Sequence, residues 1–590
     1  MIRNIPTLNF SRCFYFVRFL SSASGEISRL TSTPVPDILL QNLKNAPTPK
    51  IVLKIINEHS SIMNSKHVMQ ALRSLFDLQK FGSSDVSTKE LLRHPDFSRL
   101  CKKLKSQSGV IDLNETIEAL KVVSYVGVPS NSTIVQVLLQ LIRQNINSLT
   151  LQHIMFLEFL INQFNSSPLT EAFKIALPLI FETQLPYKMN RDDAAHLAEY
   201  LHYASKIDLS KKSINMIVEA LCKPAQEFDA KTAKSIIWSI TDMDEPSEDI
   251  QPLLNKAINA LLVHIDELNY TDIETTLTKL IHRYSRRHYY FYSEVFTDTC
   301  ANYVIDHDLG FRHAVFALRK LGRVMHVHRR LLDYAYKKAF EDPNCIESGD
   351  PSQIYSLAIA TSLTCYRPTH WDAVKNLIIK KKDLAAENKK EIIWLRFAAS
   401  LCLLDIYKID ILTRALNVDY LKALFTKRPD LTDILPSKYD PQNVINLLKR
   451  ATEFPLQASL QHGFGGEQYV LSNLLSKQGH QIDHAVLYRK GEYPVAIDRD
   501  VEFIEDIEVQ SKGELLLILV FHPIHYTINT KELRQTAVLS IKTLELAGYN
   551  VMPVNLEAWE ALNDFEKIPY LMQNIKNKME SVSNDAIENR

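Results

Sequence analysis

The chain has 590 residues, 46% of them apolar and 23% charged, a length that one hydrophobic core does not usually serve and a balance ordinary for a globular protein. Only 14 residues are Gly, which argues against a Gly-rich all-β protein and against a large nucleotide-binding α/β enzyme, since both need Gly at their turns. Lys plus Arg equals Asp plus Glu at 68 each, so there is no global basic signature for nucleic acid, and any such site must come from local segregation of charge.

The chain opens MIRNIPTLNFSRCFYFVRFLSSASG, with Arg3, Arg12 and Arg18 among apolar and aromatic residues and no acid before Glu26. A cationic amphipathic segment of this kind is expected of a mitochondrial transit peptide, here residues 1–20, which places the mature protein in the matrix. Arg12 and Arg18 interrupt every apolar core that a secretory signal would need. Residues 21–50, rich in Ser, Thr and Pro, read as a linker. No later run approaches membrane-spanning length, so no membrane insertion is expected.

From residue 51 to 345 the pattern is helical. Comparable amphipathic helices start at Asp112, Leu149, Asn190, Asp229 and Tyr270, at intervals of 37, 41, 39 and 41 residues. Second helices such as STIVQVLLQLIRQNI lie between them. A period near forty with two helices per unit predicts an α-solenoid of helical hairpins, with an irregular helical bundle as the competing reading.

After Pro436 the texture changes. HQIDHAVLYRK and EYPVAIDRDVEFI alternate like strands, and LLLILVF, Leu515 to Phe521, has the length and composition of a fully buried strand. An amphipathic helix from about Lys531 to Ala547 follows, with Gly548 suited to its C-terminal cap. NVMPVNL then reads as a strand and Ala558 onward as a closing helix. The expected fold is mostly α, with a small C-terminal α/β module.

Residues 282–338 hold eleven Lys/Arg against five Asp/Glu, together with eleven Tyr/Phe. Guanidinium groups neutralise phosphates and aromatic rings stack on unpaired bases, so Arg283, Arg286, Arg287, Tyr289, Tyr290, Arg312, Arg319, Arg323, Arg329 and Arg330 are candidate RNA contacts. A basic solvated helix face over core aromatics is the alternative. His326 and His328, and His522 and His525, lack Cys or carboxylate neighbours at ligand spacing and read as surface or turn histidines. GFGG at 463–466 lacks a phosphate-loop context. The seven cysteines form no CxxC pair and read as buried free thiols.

The stretch LLLILVFHPIHYTINTKELRQTAVLSIKTLELAGYNVMPVNLEAWEAL resembles a RAP domain, through Pro523, Leu544, Gly548, Tyr549, Glu557, Ala558 and Trp559. Upstream, SQIYSLAIATSLTCYRPTHWDAVKNLI and GGEQYVLSNLLSKQGHQIDHAVLYRKGEYPV resemble the two modules that precede the RAP domain in the FAST kinase domain-containing family. The resemblance implies FAST-type modules at 346–425 and 426–515, a RAP domain at 516–575 and a polar tail at 576–590.

It further implies a mitochondrial RNA-binding protein that regulates processing, stability or translation of the organelle's transcripts by binding rather than by kinase chemistry. RAP domains resemble PD-(D/E)xK nucleases, in which two strand acids hold a divalent metal. Asp483 falls at the first acid, whereas Leu519 and Phe521 occupy the second acidic position and the acidic position after it; Glu505, Asp506 or Glu508 supply acids only if the strands are shifted. No cofactor or metal is therefore expected. Lys531, Arg534 and Lys542, with Arg489 and Lys490, are left as candidate RNA contacts. The competing functions are a metal-dependent RNA endonuclease using Asp483, and a protein scaffold in mitoribosome assembly or RNA processing.

Overall fold

The computed structural model describes residues 37–588, apart from 82–84, 208, 286–287, 382–392, 428–453, 490–492, 499–500 and 510–512. The expected transit peptide, the linker up to residue 36 and Cys13 lie outside the described residues. The chain divides into two compact units, Met1–Ala260 and Leu261–Arg590.

In the first unit, side-chain caps set the helix starts that the sequence suggests. Asp112 accepts the Glu115 N–H, and Glu115 returns the bond to the Asp112 N–H, opening the helix Leu113–Val126. Thr150, Asp193 and Asp229 cap Leu151–Ile161, Ala194–Ala204 and Ala230–Asp242 in the same way, each accepting an N–H of the first turn. Thr133–Gln144, Pro168–Lys188 and Lys211–Cys222 alternate with them.

Like packs on like. Leu113–Val126 lies against Ser65–Phe81 and Leu151–Ile161, and Ala194–Ala204 lies against Ala230–Asp242. A single helical hairpin leaves one apolar stripe uncovered, and its neighbour in the stack covers it. The linker reading ends early: Asp37 caps a helix Ile38–Lys44, whose Leu43 is fully buried and whose Leu43 carbonyl accepts from Ser74 Oγ at 2.7 Å.

In the second unit, one row is formed by Tyr270–Tyr284, Phe311–Leu321, Pro351–Thr361 and Trp394–Leu403, each packed on the next. A second row is formed by Glu294–Asp306, Arg329–Glu341 and Trp371–Lys380. The repeat thus runs without a break across the boundary expected at 345/346.

Lysines link adjacent repeats in both units. Lys188 donates to the Asn147 and Leu149 carbonyls, Lys256 to those of Leu221 and Lys223, Lys381 to those of Ile346, Glu347 and Gly349, and Lys408 to those of Ile379 and Lys381. Cations placed on the orphan carbonyls at helix ends are favoured by hydrogen bonding and by the helix dipole.

The C-terminal sheet has the order β1 (Leu471–Leu475), β2 (Gln481–Arg489), β4 (Gly513–Phe521), β5 (Asn550–Asn555), with β3 (Tyr493–Val495) paired to β2. β2 is antiparallel to β1, β3 and β4, whereas β5 is parallel to β4. The expected domain boundary at 515/516 falls inside β4, and β1 to β3 belong to the same sheet. β4 is buried on both faces, as its unbroken apolar run demands: Leu515, Leu517, Leu519 and Phe521 pack with Ala537 and Leu544, while Leu516, Ile518 and Val520 pack with Trp559, Leu571 and Ile575. The closing helix Asp564–Glu588 continues through the stretch read as a polar tail.

The helix Gln535–Leu546 ends in a Schellman turn: the Tyr549 N–H donates to the Leu544 carbonyl and the Gly548 N–H to that of Glu545. Gly548 has φ +93°, and nothing lies within 4 Å of the position its Cβ would take. A Gly548→Ala protein is therefore expected to lose about 1–2 kcal/mol from backbone strain alone, read as a lower denaturant midpoint for the sheet signal.

Candidate nucleic-acid interface

The segment after β4 crosses the carboxyl ends of the first helical row. The Ile528 N–H donates to the Met325 carbonyl. Asn529 pairs with the backbone of Val327 through both side-chain groups, accepting its N–H at 3.0 Å and donating to its carbonyl at 2.9 Å. The Gln535 N–H donates to the Leu363 carbonyl, the Gln535 amide donates to the Leu403 carbonyl, and its Oε1 accepts from Arg367. Helix ends that would leave orphan carbonyls are thus capped by the sheet module. Arg329 completes the seam, pairing with Glu532 while its guanidinium lies 5.1 Å from the centre of the Tyr366 ring.

A run of cations borders this seam. Burial, and then Arg323 and Arg319, hold Lys320 below its usual lysine range, partly offset by Glu274. Burial pushes the Tyr355 phenol up against the pull of Arg396 and Arg319. Burial and then Arg396 lower the proton affinity of Arg534. Burial, His522 and Arg534 lower that of His525. Arg319, Lys320 and Arg323 stand at the carboxyl end of the Phe311–Leu321 helix, Arg396 on the Trp394–Leu403 helix, and His525 and Arg534 on the segment beyond β4. Arg323 and Arg396 are exposed, and Arg319, Arg534 and His525 are part-buried. At the far end, Asp483 accepts the Val520 N–H at 2.7 Å. Burial raises its proton affinity, opposed by that hydrogen bond and by His522.

A divalent metal does not fit this donor set. The Asp483 carboxylate caps the end of β4, and Leu519 and Phe521 lie in the sheet core, where neither an alkyl nor an aryl group ligates a hard cation. Glu505 accepts the Lys477 N–H, and Asp506 pairs with the Lys477 ammonium at 2.5 Å. Among the described residues no three His, Cys, Asp or Glu side chains form a group that would hold a metal ion.

The sequence candidates scatter. Arg283 is 5% exposed and faces inward, while Arg286 and Arg287 lie outside the described residues, as does Lys490. Tyr289 is 65% exposed and packs edge-on against Tyr284, whereas Tyr290 is part-buried on Phe291. Arg312 is exposed beside Phe316, and Arg330 bonds Asn302 at 3.2 Å. Arg329 serves the seam. Lys531 and Lys542 are exposed, Lys531 with φ +54°.

Arg319 and Arg323 precede Met325 at the end of their helix and Arg534 precedes Gln535, so these three candidates flank residues of the seam, and Lys320 and Arg396 lie unforeseen on the helices that the seam caps. His326 and His328 are not surface histidines: His326 is 1% exposed, bonded to Tyr292 at 2.8 Å and Asp298 at 3.0 Å, and His328 accepts the Leu331 N–H. Of the cysteines, Cys300 is buried as expected, but Cys365 is exposed.

Among the described residues no helix is long and apolar enough to cross a membrane. A search of curated proteins finds no match. The family model of the RAP domain matches residues 518–574, from the second half of β4 through the docking segment, the Gln535 helix and β5 into the closing helix, so the C-terminal part of the seam and its cations lie in a RAP domain.

Proposed function

We propose that the protein binds RNA along the cation run from Arg323 to His525 and acts on mitochondrial transcripts, regulating their processing, stability or translation. The observation that carries this reading is the RAP domain at residues 518–574, a kind of domain generally associated with RNA binding, whose Gln535 caps the Leu403 carbonyl of the helix that bears exposed Arg396. Guanidiniums on both sides of the seam can neutralise phosphates. The transit-peptide composition of residues 1–20 supports a matrix location, and the order of modules supports kinship with FAST kinase domain-containing proteins.

Ultraviolet crosslinking of the tagged protein in intact mitochondria, with sequencing of the bound RNA, is expected to give discrete sites on particular transcripts. No crosslinks above an untagged control would overturn the reading in favour of a protein scaffold.

A further inference from the structure

We infer that the groove running along the helix Thr133–Gln144 to the helix Pro95–Ser106, in the first unit, docks an amphipathic helix of a protein partner that carries acidic residues at one end.

The helix Thr133–Gln144 has more apolar surface than its stack covers. Ile134, Val135, Leu138, Leu139 and Ile142 are buried, as the apolar stripe facing a core should be. Val137 and Leu141 form a further column and stay part-exposed. With Thr133 and Gln140 they line an open trough of about 290 Å³. These positions lie three or four residues apart, so the trough follows the whole helix, roughly 17 Å at 1.5 Å per residue. That is room for about three turns of a partner helix laid in the groove.

At its Thr133 end the trough meets a second hollow of about 240 Å³, of which Thr133 is also a wall. Phe97, Val128 and Ile134 are buried beneath it, and Cys101, Lys102 and Lys105 line it from one face of the helix Pro95–Ser106. Burial pushes the Cys101 thiol up to about 12, so Cys101 serves as a wall and not as a nucleophile.

The charge of this hollow is unbalanced. Asp96 is the one acid on the helix Pro95–Ser106, and it pairs with Arg99 at 2.9 Å. Lys103 donates to the Ser61 carbonyl at 3.3 Å. Lys102 and Lys105 are exposed and, among the described residues, have no carboxylate partner. An apolar trough that ends at two uncommitted ammonium groups complements a helix with apolar residues three and four apart and carboxylates at one end. Protein is favoured over RNA here, because the single ring in either lining, Phe97, is 2% exposed and gives a base nothing to stack on.

The test selects a phage-displayed library of random peptides of about sixteen residues, long enough to fill the trough as a helix, on the full chain. Two variants serve as counter-selection: Lys102→Glu/Lys105→Glu reverses the charge, and Gln140→Trp puts an indole into the trough. All three positions are exposed, and an unchanged circular dichroism spectrum checks that each variant keeps its fold. Enriched sequences are expected to space apolar residues three and four apart, with Asp or Glu at one end. A synthetic peptide of that sequence, followed by fluorescence anisotropy, should bind each variant about tenfold more weakly. No enrichment, or peptides that bind the variants as tightly as the unaltered protein, overturns the inference and leaves the RNA reading untouched. A single-stranded RNA titrated alongside gives the last outcome: RNA affinity that falls in the charge-reversed variant, with no peptide selected, assigns the groove to RNA and overturns the docking of a protein.

Discussion

A Gln535→Leu protein is expected to keep its helical rows and lose the docking of its C-terminal sheet. Gln535 is buried and serves two helix ends: its N–H caps Leu363, its amide caps Leu403, and its Oε1 accepts from Arg367. Leucine fits the volume and retains the backbone bond, but leaves the Leu403 carbonyl and the Arg367 guanidinium short of a partner. An unmatched buried group costs about 1–3 kcal/mol, more where a charge is involved, so the seam loses about 2–4 kcal/mol. Unfolding of a chain with two compact units has no single midpoint. The measurement is hydrogen exchange at the Ile528 and Gln535 amides, which donate across the seam to Met325 and Leu363. Their protection should collapse while that of the Leu113–Val126 helix stays unchanged. Unaltered protection would mean that Asn529 and the Arg329–Glu532 pair hold the seam without Gln535.

Neutralising Arg323 and Arg396 together is the second large effect. Both are exposed, so Arg323→Gln/Arg396→Gln should leave the melting profile in place. Each phosphate contact to a single strand contributes about 0.7 to the slope of log affinity against log salt. Loss of two contacts is expected to flatten the slope by about 1.4 and to weaken binding at low salt across unrelated sequences, because phosphate contacts position the chain without reading bases. A slope unchanged in the double variant would move the interface away from this run. Arg330→Gln serves as a control, since Arg330 bonds Asn302 and lies outside the run.

What the sequence made legible was local. The Asp112/Glu115 box, the unbroken apolar run of β4 and the Gly548-Tyr549 turn each state their structure within a few residues. β1 was missed because LSNLL places apolar residues at spacings that also suit a helical turn, and Asn473 sits in it at φ +62°. Arg283 looked like part of a basic cluster, yet Ile273, Thr276, Leu280 and Arg283 follow the spacing of the buried stripe. His326 seemed exposed beside two arginines, but its partner Asp298 lies 28 residues earlier. Arg396 is a lone cation in an apolar helix, so only the fold, by docking the end of that helix on Gln535, marks it for an interface.

The pairing of Asn529 with Val327 spans 202 residues, and this orders events during synthesis. A ribosome adds about 5–20 residues per second, so Val327 leaves the exit tunnel about 10–40 s before Asn529, and Leu403, whose cap Gln535 lies 132 residues on, about 7–26 s before it. During that interval the Met325–Val327 turn and the Leu363 and Leu403 carbonyls must be satisfied by water or by another molecule. A chain that stops before Asn529 keeps them in that state for good, which makes arrival of the Ile528–Gln535 segment the step that closes these caps.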